Sequence, residues 1–153
     1  MKDYICNHKK EPCTKKVPLF AALSDVEMLK IARMTNHIHY QKGQMVIQEG
    51  VKSDTLFIMN SGKVKLSKFT VDGKEQILYI LASGDFFGEL NLFNDDEVNN
   101  FSVFAIEDTE ICQLKKADID LILLKNPEIS LKLLKAVTKR LAHTEDLAQN
   151  LAT

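Results

Sequence analysis

Between residues 37 and 114 the chain consists of short β-rich runs that are separated by turn residues at an even spacing. The runs cover residues 37–41, 45–48, 55–60, 63–70, 74–81, 100–106 and 109–114. Three of the breaks are Lys42-Gly43, Ser61-Gly62 and Asp72-Gly73, whose residues tolerate the positive φ angles of tight hairpin turns. Short strands at this spacing are typical of an all-β sandwich or barrel. The pattern therefore predicts a mainly β fold.

Helical patterns flank this β-rich region on both sides. Ser24 followed by Glu27 is a capping-box pair, which predicts a first helix over about residues 24–34. After residue 114 the helical period returns, and we expect a short helix over residues 117–124. Asn126-Pro127 then indicates the N-cap and first position of a longer helix that continues to near the end of the sequence.

The long helix carries apolar residues at alternating three- and four-residue steps, with Thr144 at the one remaining position. These residues are Leu134, Val137, Leu141, Ala148 and Leu151. The spacing is that of a short coiled-coil seam, which needs a partner helix, so we expect a homodimer. The alternative is that the stripe packs on the β region of its own chain, as most amphipathic helices do.

Composition restricts the class of function. A chain of 153 residues with 45% hydrophobic and 27% charged residues has the size and make-up of one globular domain. Its net charge of −1 provides no domain-wide basic surface for nucleic-acid backbones. We expect a cytoplasmic protein that does not enter membranes, because no apolar run approaches the roughly 20 residues of a span and no apolar signal core begins the chain. The sequence has no P-loop, HExxH motif or nucleophile–base arrangement, and we predict that it is not an enzyme.

Residues 84–93, GDFFGELNLF, resemble the phosphate-binding cassette of cyclic-nucleotide-binding domains in the Crp/Fnr family of transcription regulators. In that family a loop enters a one-turn helix whose free amides suit an anionic phosphate, while a Glu accepts from the ribose hydroxyl. The resemblance places these roles on Gly88, Glu89 and Leu90. It extends over about residues 17–151.

The resemblance implies a cyclic-nucleotide-binding-like double-stranded β-helix, or jelly roll, with an N-terminal helix and a long C-terminal dimerisation helix. We divide the chain into a cysteine-containing basic arm (1–16), a β-roll with flanking helices (17–125) and a dimerisation helix (126–153). In the family a helix-turn-helix domain follows the dimerisation helix. DNA would be bound through that domain, which is not among residues 1–153.

The cassette departs from the cyclic-AMP-binding pattern at one decisive place. Family members that bind cyclic AMP have Arg followed by Ser or Thr about ten residues after the Glu, whereas this chain has Asn99 and Asn100. An Asn amide lacks the charge with which Arg pairs a phosphate, so we expect no physiological cyclic-AMP binding. Arg140 and Thr144 remain at the family's positions for the partner of the Glu and an adenine contact. We favour the interpretation that the cassette persists as scaffold.

Three cysteines offer a different sensor. Cys6 and Cys13 lie in the basic arm and Cys112 lies in the last predicted strand, an arrangement that resembles the Fnr branch of the family. In that branch four cysteines hold a [4Fe–4S] cluster, so a cluster or a zinc ion here would need a fourth ligand such as His8. Alternatively, an arm cysteine forms a redox-sensitive disulfide with Cys112. In the simplest alternative, Cys112 is a small core residue.

These patterns lead to one functional prediction and two alternatives. We predict the sensor and dimerisation domain of a Crp/Fnr-type regulator that responds to redox state or oxygen. Its signal would shift the population of two packings of the dimer helix. The alternatives are a small-molecule-binding module that uses the cassette pocket and a regulatory domain of a larger enzyme or channel.

Overall fold

The computed structural model describes residues 20, 23–94 and 98–152, the last two as backbone only. Cys6, His8 and Cys13 lie outside the described residues. The elements in chain order are α1 (Asp25–Met34), β1 (Asn36–Tyr40), β2 (Met45–Ile47), β3 (Thr55–Ser61), β4 (Lys63–Phe69), β5 (Glu75–Ala82), β6 (Phe86–Phe87), α2 (Leu90–Phe93), β7 (Ser102–Ala105), β8 (Thr109–Lys115), α3 (Lys116–Lys125) and α4 (Pro127–Ala152).

The strands form two four-stranded antiparallel sheets with the orders β1-β8-β3-β6 and β2-β7-β4-β5. Neighbours such as β3 and β8 are far apart in the chain, as expected when strands of a jelly roll cross between two sheets. The predicted mainly β jelly roll with flanking helices and a long C-terminal helix is confirmed.

Strand β3, inside the β1-β8-β3-β6 sheet, is buried on both faces. Side chains alternate along a strand, so Leu56 and Ile58 enter a cluster with the helices while Phe57 and Met59 enter a cluster between the sheets. Each fully buried side chain of this size contributes about 1.5–3 kcal/mol. A strand with two apolar faces reads in sequence as an unbroken hydrophobic run rather than as an alternating one.

The local signals for turns and helix ends locate most element boundaries. Ser24 caps α1 through the expected reciprocal contacts with Glu27. The glycines of the three predicted turns have positive φ angles between 84° and 90°. Asn126 precedes α4 as expected, but its side-chain amide donates to the Ile122 carbonyl and so serves the end of α3.

Two features differ from the sequence prediction. The two-residue strand β6 was not predicted, because a pair of phenylalanines between Asp85 and Gly88 is too short to show a period. Val137 was assigned to the dimer seam, but it packs partly buried against the helix-facing core of its own chain. No helix in the described part of the chain is long and apolar enough to cross a membrane.

Candidate functional site

The cassette is a tight loop whose backbone requires glycine at position 88. Gly88 has a φ angle of +91°, and a Cβ atom built on it would lie 2.7 Å from the Thr55 carbonyl oxygen. A side chain there would be strained and would also collide with β3. The glycine therefore lets the loop lie directly against the sheet before α2 begins.

Glu89 is buried at the start of α2 and is joined to α4 by Arg140. The guanidinium Nη1 lies 2.8 Å from Glu89 Oε1, Nη2 donates to the Phe86 carbonyl, and the guanidinium lies 4.6 Å from the centre of the Phe86 ring. Removing one partner of such a partly buried ion pair strongly destabilises the folded protein, because the other charge stays buried without compensation. We call Glu89, Arg140 and Phe86 the Arg140 clamp.

The other carboxylate oxygen of the clamp has no hydrogen-bond partner among the described residues. Glu89 Oε2 is buried, and so is Asn60 Oδ1, which is also unpartnered in the described part of the chain. Leaving a buried acceptor unpaired costs about 1–3 kcal/mol. Glu89 Oε2 therefore marks the cassette as a place where a hydrogen-bond donor could be bound.

The residue at the family's arginine position is committed to internal hydrogen bonds. Asn99 is buried, its carbonyl Oδ1 accepts from the Asn91 side chain, and its amide donates to the Gln48 carbonyl at 3.4 Å. Asn100, by contrast, is exposed. Asn99 thus connects Asn91 of the cassette to Gln48, in the segment after β2, without providing a positive charge. Asn91 was not singled out in the sequence, because a single Asn in a short helix carries no pattern.

The cassette residue Leu90 and the predicted pocket residue Thr144 of α4 lie at the surface. Leu90 is exposed at the first position of α2, and Thr144 is exposed with its hydroxyl donating to the Arg140 carbonyl at 2.9 Å. The same carbonyl accepts from the Tyr79 hydroxyl at 3.0 Å, and the Tyr79 and His143 rings are 4.6 Å apart. These contacts attach the middle of α4 to β5 as well as to the cassette.

Cys112 lies in the helix-facing core and is fully buried. It is not a free thiol in the structure. Antiparallel pairing of β1 with β8 sets His37 opposite Cys112, and Cys112 Sγ lies 3.8 Å from His37 Nδ1. The description of Cys112 as a buried core residue is therefore correct as far as its position goes, and it has a polar neighbour that the sequence alone did not reveal.

His37 is the first member of a polar chain across the two strands. Its Nε2 lies 2.5 Å from Glu110 Oε2, and the other carboxylate oxygen lies 2.8 Å from His39 Nδ1. The spacing of the two histidines is visible in sequence, but the pairing with Glu110 depends on strand register. Among the described residues, no group of three or more His, Cys, Asp and Glu side chains is arranged to hold a metal ion.

The predicted dimer seam is largely exposed along α4. Leu134 and Leu141 are 62% and 57% exposed, and Ala148 is exposed as well. The side chain of Leu151 lies outside the described residues. Apart from Val137, the described seam residues are therefore available to a partner.

Comparison with known proteins agrees with this geometry. The family model for the cyclic nucleotide-binding domain matches residues 37–126. The chain is 32% identical over 136 residues to the probable transcriptional regulator flp of Lacticaseibacillus casei, which covers 89% of this chain and 61% of that protein. It is 37% identical over 83 residues to a cGMP-dependent protein kinase, isozyme 2, of Drosophila melanogaster, covering 54% of this chain and 9% of the kinase. The chain thus spans less than two thirds of either relative.

Solved structures give the same result. The catabolite activator protein of Thermus thermophilus has a TM-score of 0.78 at 27% identity, over 88% of this chain and 63% of that one. The N-terminal domain of a transcriptional regulator from Streptomyces coelicolor A3(2) has a TM-score of 0.68 at 30% identity, over 89% and 94%. This chain therefore belongs to the cyclic nucleotide-binding domain family, with homologues and structural neighbours among regulators of the Crp/Fnr type.

Proposed function

We propose that this chain is the sensor and dimerisation part of a cytoplasmic transcription regulator that responds to redox state through its cysteines. The observation that carries the proposal is Cys112, which is buried on β8, is not a free thiol and has an imidazole beside its sulfur. The other cysteines of the sequence are Cys6 and Cys13, so an intramolecular disulfide would join Cys112 to one of them. Disulfides in the cytosol are usually transient and sensing.

Cyclic AMP is not the signal in this proposal. The support is Asn99, which is buried and uses its amide and its carbonyl inside the protein. A neutral amide cannot replace the bidentate, charge-assisted contact that Arg makes with a phosphate. The cassette then serves mainly as the part of the roll that holds α4 through Arg140.

The signal would reach a partner chain through α4. Arg140 and Tyr79 attach the helix to the cassette and to β5, while Leu134 and Leu141 remain exposed for a second copy. A disulfide that moved β8 or the arm would favour one packing of the helices over another. In a regulator of this type the helix spacing would set the spacing of helix-turn-helix domains on DNA.

The test is anaerobic purification followed by an absorption spectrum, iron and zinc analysis, and thiol counting before and after exposure to air. The proposal predicts a colourless, metal-free protein that reversibly loses two titratable thiols. Visible absorption that bleaches in air, with stoichiometric iron, would replace the disulfide with a cluster, and stoichiometric zinc would replace it with a metal site. Three thiols that never react would overturn a redox role.

A second candidate is a small-molecule-binding module, and Glu89 Oε2 favours it. This buried acceptor is unpartnered among the described residues and suits a hydroxyl or amide donor of an uncharged ligand. A concentration-dependent rise in melting temperature with a neutral nucleoside, lost in Glu89→Gln, would support this reading.

A further inference from the structure

A chain of four polar side chains crosses from β8 to the edge of the β1-β8-β3-β6 sheet. It consists of Cys112, His37, Glu110 and His39, and we call it the β1–β8 relay. We propose that His37 is a general base for Cys112 in thiol–disulfide exchange. Glu110 orients the His37 ring and stabilises its protonated form. The proposal rests on the redox function above and adds to it the residues that make Cys112 reactive.

The contacts assign a different task to each nitrogen of His37. Nε2 lies 2.5 Å from Glu110 Oε2, and because an ionised carboxylate only accepts, this nitrogen carries the proton. In the neutral imidazole Nδ1 is then an acceptor, and it lies 3.8 Å from Cys112 Sγ. Cys112 is not a free thiol in the structure. Once it is reduced, the order of thiol, imidazole and carboxylate is the general arrangement of an activated nucleophile with its base and an orienting group.

Burial explains why Cys112 needs such a base. The residue is fully buried and the His37 side chain is 2% exposed, so a lone thiolate at this place would be desolvated. Transfer of the thiol proton to His37 creates an imidazolium next to the thiolate, and Glu110 stabilises that imidazolium from the other side. His39, whose side chain is 47% exposed, holds the second carboxylate oxygen at 2.8 Å.

The charged and titratable groups around His37 support one direction of proton transfer. Glu110 and Cys112 face it from β8, which is the strand paired with β1 in the described sheet. Arg33, in the last turn of α1, is exposed. Glu110 therefore places a negative charge beside the imidazole that accepts the proton.

The reaction can be written with oxidised glutathione as the oxidant. An arm thiolate attacks the glutathione disulfide, which forms a mixed disulfide and releases one glutathione thiolate. Cys112 gives its proton to His37 Nδ1, its sulfur attacks the arm sulfur, and the second glutathione thiolate leaves and takes the proton from His37. Two protein thiols are oxidised to one disulfide and one glutathione disulfide is reduced to two thiols.

The experiment measures closure of the Cys112 disulfide in the reduced full chain at a fixed concentration of oxidised glutathione, by acid quenching and mass spectrometry from pH 5.5 to 9. His37→Gln keeps an amide that can donate to Glu110 but removes the base. Glu110→Gln removes the charge, and its partly exposed site makes folding of this variant the safer of the two. His143→Gln is the matched control, because it removes an exposed imidazole on α4 that contacts the Tyr79 ring and lies outside the relay. Melting temperatures establish that each variant is folded.

At pH 7 we expect closure to slow by roughly 10- to 100-fold in His37→Gln, by less in Glu110→Gln, and by no more than about twofold in His143→Gln. The rate should also reach half of its maximum at a higher pH in His37→Gln than in the unsubstituted chain. Rate–pH curves that superimpose for the unsubstituted chain, His37→Gln and Glu110→Gln would overturn the relay while leaving the disulfide intact. Failure of the unsubstituted chain to close any Cys112 disulfide would overturn the redox function itself.

Discussion

Arg140 connects the cassette to the long helix with a single side chain. Its guanidinium bonds to Glu89 and to the Phe86 carbonyl and packs on the Phe86 ring. Protein atoms thus join the cassette directly to α4. The position of α4 is therefore coupled to the cassette without a ligand.

Arg140→Met should destabilise the fold by about 3 kcal/mol, because it leaves the buried Glu89 carboxylate without its charged partner. The measurement is urea unfolding at pH 7. Lys139→Met, an exposed cation next to Arg140 on the same helix, is the matched control and should change the free energy of unfolding little. Equal effects of the two substitutions would show that the clamp contributes nothing specific.

Cyclic AMP should not raise the melting temperature of the chain, because the charge that binds its phosphate is replaced by Asn99. Asn99→Arg should recover a small, concentration-dependent rise, although loss of the hydrogen bond to Asn91 should cost about 1 kcal/mol of stability. Asn100→Arg, which adds the same charge at the exposed neighbouring position, should not recover binding. A clear rise with the unsubstituted chain would contradict the interpretation of Asn99.

Glu75 provides a pH-dependent contact in the β4–β5 hairpin. Hydrogen bonds from Lys65 and Ser67 hold the pKa of Glu75 below its ordinary value of 4.5. A lowered carboxyl pKa contributes stability above the unfolded-state value, and that contribution is lost as the pH falls through the folded-state value. The stability difference between the unsubstituted chain and Glu75→Gln should therefore shrink as the pH falls below about 4.5.

Urea unfolding at pH 7, 5 and 3.5 tests this prediction. Asp72→Asn removes an exposed carboxyl from the turn of the same hairpin and should show a smaller dependence on pH. A difference for Glu75→Gln that stays constant over this range would contradict the assignment of the carboxylate contacts.

Local sequence signals predicted the turns and helix ends, whose structure depends on neighbouring residues. Turn glycines and the Ser24 capping box located hairpins and helix ends, because both depend on a few neighbouring residues. The strand β6 was missed, and so was the pairing of His37 with Cys112, since pairing depends on register across 75 residues of sequence. The resemblance identified Glu89 and Arg140, while the internal bond between Asn91 and Asn99 emerged only from the structure.

In the long helix, residues that belong to one apolar stripe differ in their burial. Its seam residues share one stripe, but Val137 faces the chain's own core while Leu134 and Leu141 remain exposed. The helix contacts the roll from Ile129 to His143. A period of seven residues cannot reveal which part of a stripe meets the same chain. Packing on the chain's own core is therefore confirmed for Val137, and the dimer seam stays a prediction.

Leu141→Glu should raise the dimer dissociation constant by on the order of tenfold or more, because it places an unpaired charge in the seam. Sedimentation over a range of protein concentrations measures this change. Ala142→Glu is the matched control, since it adds the same charge at an exposed position next to the seam. Unchanged sedimentation of Leu141→Glu would place the dimer contact elsewhere.

For the whole molecule, the proposed function links two separate features. The cassette keeps its glycine and glutamate but is joined to α4 by Arg140, while the redox candidate Cys112 lies on β8 beside a histidine and a carboxylate. The sensor prediction came from the resemblance of the cassette and the cysteines to the Crp/Fnr family. The resemblance could not indicate the signal, because the chemistry of Cys112 depends on side chains brought together by the sheet.

The most direct test of the redox claim is disulfide mapping of the oxidised chain. The protein is oxidised in air, its remaining thiols are alkylated, and it is digested without reduction for mass spectrometry. We expect a peptide pair that joins Cys112 to Cys6 or Cys13 and that disappears after treatment with a reducing agent. Recovery of Cys112 only as an alkylated, unpaired thiol would contradict it.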